Sequence, residues 1–116
     1  KSQPSEKQIR EFWEWCGFER GQYKPHIGGI DKYQYEAGWW MYPDNVIGSR
    51  VLPPVDLNNL FGYAMPKAID KIMAEQQCSS DLAYAILFKK WLQKLELDIP
   101  NHAGTLFWAI WEVIEK

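Results

Sequence analysis

Apolar positions in this chain follow a helical spacing at both ends and lose it in between. Ile9, Phe12, Trp13 and Cys16 recur at i, i+3, i+4 and i+7, one face of a helix. Arg10, Glu11 and Glu14 lie off that face, and Trp15 stands at its rim. Ser5 can cap this helix, and Gln8 three residues on completes a capping box. Gly17 is a natural stop, because glycine takes the left-handed backbone that closes a helix without a Cβ clash.

Across residues 18–51 the period changes. Tyr33 and Tyr35 alternate with Lys32, Gln34 and Glu36, the two-residue repeat of a strand. Residues 39–42 form a second extended run, Pro43, Asp44 and Asn45 a turn, and Val46, Ile47 and Val51 a third short run. A sheet this small is marginal alone and must lean on helices.

Helical spacing then returns three times. After the extended connector 52–55, Asp56 caps a helix whose stripe is Leu57, Leu60, Phe61, Ala64, Ala68, Ile69 and Ile72. Pro66 lies inside it, so the helix either bends there or breaks and restarts with Pro66 in its first turn. Ser79 or Ser80 caps a third helix over residues 81–97. Its first half, 82–88, is apolar nearly all round, which predicts a central position. Its second half turns Trp91, Leu92 and Leu95 inward and leaves Lys89, Lys90, Lys94 and Glu96 in water. Asn101 caps the last helix, 102–115, with Leu106, Phe107, Ile110, Val113 and Ile114 inward and Trp108 and Trp111 on adjoining faces. The fold class is α+β: a mostly helical single domain over residues 1–116, with an N-terminal helix, a small antiparallel β meander and three helical segments. Residues 1–4 read as a disordered tail.

A length of 116 residues suits one domain. Thirteen basic against fifteen acidic residues leave a charge of -2, which argues against a nucleic-acid partner. No apolar run approaches the roughly 20 residues that span a bilayer, and residues 1–7 lack a signal core. The expected location is the cytoplasm, with no membrane association. Cys16, Cys78, His26 and His102 contain no short ligand pair of the kind that starts a zinc site. No glycine-rich phosphate loop, H-E-x-x-H or G-x-S-x-G is present. The expectation is a protein with no cofactor, no metal and no catalytic residue, hence not an enzyme.

The unusual feature is aromatic content: seven Trp, six Tyr and five Phe. Trp39 and Trp40 are strand neighbours and point to opposite faces. One should pack on the helices and the other should reach the outer face, where either the loop 18–37 covers it or it anchors a partner, since tryptophan and tyrosine dominate binding hot spots. The expected partner-binding cluster is Trp40 with Tyr42 and Tyr35, beside Trp39. An alternative ligand site is Arg50, Asn58, Asn59 and Lys67, where a helix start facing aromatic rings could hold an anion or a nucleotide. The plainer reading makes Asp56, Asn58 and Asn59 ordinary helix-start residues. Of Trp108 and Trp111, one is free to build a dimer surface.

Three blocks carry a family resemblance: residues 9–18 (IREFWEWCGF), residues 56–67 (DLNNLFGYAMPK) and residues 106–114 (LFWAIWEVI). Together they resemble small bacteriophage and prophage proteins to which no activity is attached. This chain departs at Gly62, where that family usually has lysine, and at residues 43–45, where a glycine usually completes the turn. The resemblance implies a non-enzymatic accessory protein in the host-cell cytoplasm that binds a host or phage macromolecule. An inhibitor of a host defence system, anti-CRISPR-like, is the form it favours. A nucleotide-sequestering protein and a dimeric structural component are the alternatives.

Overall fold

Ser5 opens the first helix as its side chain requires. Its hydroxyl accepts from the Gln8 N–H at 3.1 Å, and the Gln8 side chain accepts from the Ser5 N–H at 2.9 Å. The computed structural model describes residues 3–20, 40–43, 49 and 51–115. In it α1 runs Glu6–Trp15 and buries Phe12 and Trp13. Gly17, at φ +106°, ends it. The Gly17 N–H reaches the Glu14 carbonyl and the Phe18 N–H reaches that of Trp13, the paired bonds of a Schellman stop.

The sheet is two short antiparallel strands, β1 (Glu19–Arg20) and β2 (Trp40–Met41), with Glu19 opposite Met41 and Arg20 opposite Trp40. Ser49 bridges the other side of Trp40 through two backbone hydrogen bonds. Tyr33, Tyr35, Val46 and Ile47, read above as strand residues, lie outside the described residues.

From Leu57 to Gln76 the chain is one helical rod in three parts. α2 (Leu57–Asn59) starts on the Asp56 carboxylate, which accepts from the Asn59 N–H at 2.9 Å. Leu60–Ala64 is a π turn, and α3 is Met65–Gln76. The rod does not break at Pro66. Proline offers no N–H to the carbonyl of Gly62, four residues earlier, and its ring would crowd that carbonyl. The wider π turn lies just ahead of it, with the Met65 N–H bonded to Leu60 five residues back. The extra residue re-phases the stripe. Leu60, Ala64, Met65, Ala68, Ile69 and Ile72 are buried, but Phe61 turns out to 43% exposure, against the inward position its spacing predicts.

α3 ends on Gln77, which sits at φ +49° while the Cys78 N–H bonds to the Met73 carbonyl. A left-handed non-glycine residue costs roughly 1–2 kcal/mol. Gln77→Gly is therefore expected to raise stability by about 1 kcal/mol, seen as a higher urea midpoint at unchanged slope. An unchanged or lower midpoint would contradict this account.

α4 (Ser80–Leu95) starts on Ser79, whose hydroxyl accepts from the Leu82 N–H. α5 (His102–Glu115) follows a short turn, with the side-chain Oδ1 of Asn101 accepting from the Gly104 N–H at 3.1 Å. The expectation that residues 82–88 are central is overturned. Only Ala83 and Leu87 of α4 are buried, while Leu82, Tyr84 and Ala85 face outward and Leu92 is 58% exposed. The central helix is α5. Residues 105–110 are all buried, and α5 packs on α4, α3, the π turn, α2 and α1. Among the described residues α4 packs mainly on α5 and α3, and its other apolar seam is only partly covered. Glu112 on α5 joins the two helices by pairing with Lys94 and, at 3.7 Å, with Lys90.

Candidate functional site

The outer seam of α4 places Tyr84, Phe88 and Trp91 at i, i+4 and i+7, side by side on one helical face. Their rings form a ladder: Tyr84 to Phe88 at 5.9 Å, Phe88 to Trp91 at 6.2 Å, and Trp91 to Phe61 of the π turn at 6.0 Å. These separations suit edge and tilted aromatic contacts. Phe61 and Tyr84 are exposed, Phe88 and Trp91 half-buried, and exposed Leu92 adds an aliphatic flank four residues after Phe88. Trp91 is held in place. Its indole N–H donates to the His102 carbonyl at 3.2 Å and to Thr105 Oγ1 at 3.0 Å. A ring tethered at its polar edge offers its apolar face with little side-chain entropy left to lose.

Of the aromatic cluster expected on the meander, the described residues include Trp40 and Tyr42. Trp40 is only 7% exposed, so it is not the outward tryptophan that strand alternation allows. It lies between β1 and Ser49, and the Arg20 guanidinium covers its ring at 5.8 Å. Tyr42 is half-buried, packs against Phe18 and Tyr63, and donates its hydroxyl to the Val51 carbonyl at 3.2 Å. Trp39 and Tyr35 lie outside the described residues. Trp108 meets Phe107 edge-on at 5.1 Å and Trp111 stacks on it at 5.8 Å, with Trp108 buried and Trp111 half-buried.

Of the alternative ligand residues, Asn58 and Lys67 do come together. Both line an open groove of about 600 Å³ with Cys16, Gly62, Tyr63 and Asp70. Gly62 leaves that space clear, since a Cβ there would meet nothing within 4 Å. Asn59 is committed elsewhere: its side-chain amide donates to the Pro54 carbonyl and to Asp56. Arg50 lies outside the described residues. The Cys16 thiol is pushed up to about 12 by burial, with Lys67 pulling weakly the other way. It is therefore a protonated, unreactive side chain rather than a nucleophile. Among the described residues, no three His, Cys, Asp or Glu side chains gather as a metal ion would need. No helix among them is long and apolar enough to cross a membrane.

Comparison of the chain with protein-family models, with curated proteins and with solved structures finds no match.

Proposed function

We propose that the protein is a non-enzymatic accessory binding protein that docks on a host or phage protein through the ridge Tyr84–Phe88–Trp91–Phe61. The carrying observation is the ring ladder itself: four aromatic side chains in contact at the surface, one of them locked by two hydrogen bonds. Aromatic anchors of this kind hold most of the energy of protein interfaces. The resemblance to bacteriophage proteins supports a host protein as the target, and occlusion of a host defence protein as the effect. The alternative, nucleotide sequestration in the Asn58–Lys67 groove, has weaker support. Asp70 lines the same groove as Lys67, and the Asn59 amide is taken up by Pro54 and Asp56.

Affinity capture from a host lysate tests the reading when wild type is compared with the double variant Phe61→Ala, Tyr84→Ala. Both side chains are more than a third exposed, so the melting temperature should barely move. Hot-spot rings contribute about 2 kcal/mol each, a ~30-fold change in affinity per ring. The expected result is a partner captured by wild type and lost from the folded double variant. Equal capture by both rules the ridge out. A wild-type dimer that the same substitutions dissociate would make a second copy of the chain the occupant.

A further inference from the structure

A second groove, of about 630 Å³, lies on α1 and the sheet, elements that contribute nothing to the ridge. Its lining includes Arg10 and Arg20, with Ile9, Leu52 and Val51 as its apolar wall and Trp40 beneath Arg20. Both arginines are exposed, and neither forms an ion pair among the described residues. Glu6, one turn before Arg10 and in the same groove, stays beyond pairing distance as well. Two guanidinium groups in one cleft, neither ion-paired among the described residues, are notable in a chain whose overall charge is -2. Arg20 is also pre-positioned, since its guanidinium rests over the Trp40 ring at 5.8 Å. A cation–π contact of this kind favours the guanidinium staying over the ring and so narrows where the side chain reaches.

Guanidinium forks match carboxylates with paired, charge-assisted hydrogen bonds. A carboxylate beside an apolar group would use both the arginines and the Ile9–Leu52–Val51 wall. We infer that this groove binds an acidic peptide segment, its carboxylates on Arg10 and Arg20 and its apolar side chains against Ile9, Leu52 and Val51. The choice of a peptide over a free phosphate rests on that wall, which a phosphate group cannot use. Buried Trp40 thereby becomes the platform of a binding site without being exposed itself.

The test is calorimetric titration of the full chain with an eight-residue peptide of alternating glutamate and leucine. The same peptide with glutamine for glutamate, inorganic phosphate and ATP form the other arms. The glutamate peptide should bind, more weakly as salt rises, and the glutamine peptide at least tenfold more weakly. Arg10→Gln with Arg20→Gln should reduce affinity at least tenfold while circular dichroism stays unchanged, because both side chains are exposed. Arg20→Lys alone keeps the charge, removes the fork, and should retain only part of the affinity. Phe61→Ala should bind the peptide as wild type does, which separates this site from the ridge. No binding of the glutamate peptide, equal binding of the glutamine peptide, or affinity untouched by the arginine substitutions would overturn the inference. So would arginine-dependent binding of ATP or phosphate without the peptide.

Discussion

Phe107→Ala is expected to destabilise the protein by about 3–5 kcal/mol, the usual range for removing a fully buried ring. Phe107 is fully buried on the central helix. Its ring meets Phe12 of α1 at 4.4 Å, Trp108 at 5.1 Å and Trp111 at 5.8 Å. Alanine would leave a cavity between α1 and α5 that these large, rigid rings cannot collapse to fill. Domains of this size are stable by only about 5–15 kcal/mol, so the variant sits near the limit of folding. Phe107→Leu, at an expected cost of about 1.5 kcal/mol or less, keeps the comparison measurable. Urea denaturation gives both values. A loss below about 1.5 kcal/mol for alanine would show that α5 is not the centre of the core. Phe61→Ala is the comparison and should cost much less, because Phe61 is already 43% exposed.

Alkaline pH should expose the second large effect. The Cys16 thiol is pushed up to about 12 from an ordinary value of 9.0. Burial causes the rise, because a thiolate would lose its hydration. The folded-state value lies above the unfolded one, so the contribution to stability is fully present below pH 9. It is lost as pH rises from about 9 towards 12, because the unfolded chain releases its proton first. Each pH unit inside that window removes about 1.4 kcal/mol. Between pH 8 and pH 10 the loss from this group is on the order of 1 kcal/mol, since titration of the unfolded thiol only begins near pH 9. Urea curves of wild type and Cys16→Ala at both pH values isolate it, since other titrating groups are common to the two proteins. Parallel pH dependence in the two would mean that Cys16 is not shielded as the structure shows.

The helical framework was largely legible in the residues. Ser5 with Gln8, Gly17, Asp56, Ser79 and Asn101 sit where the structure uses them as caps or stops. The candidate site was much less legible. Strand alternation at Trp39 and Trp40 leaves open which ring faces inward, and packing against Arg20 and Ser49 buries Trp40. The seam Tyr84, Phe88 and Trp91 was present in the spacing, but the apolar surround of residues 82–88 read as burial on all sides. The clue was a second seam on a helix already served by Ala83 and Leu87.

By itself the sequence determined where helices begin and end, because a cap is a hydrogen bond among residues about three apart. It also determined that the chain is mostly helical with a small sheet, since apolar period is a local property. Tertiary structure alone decided that α5 rather than α4 is central, that Phe61 of the π turn faces outward, and that, among the described residues, an aromatic ridge runs from Tyr84 of α4 to Phe61. Burial depends on which distant element packs against a face, and no spacing within that face records whether the neighbour is there.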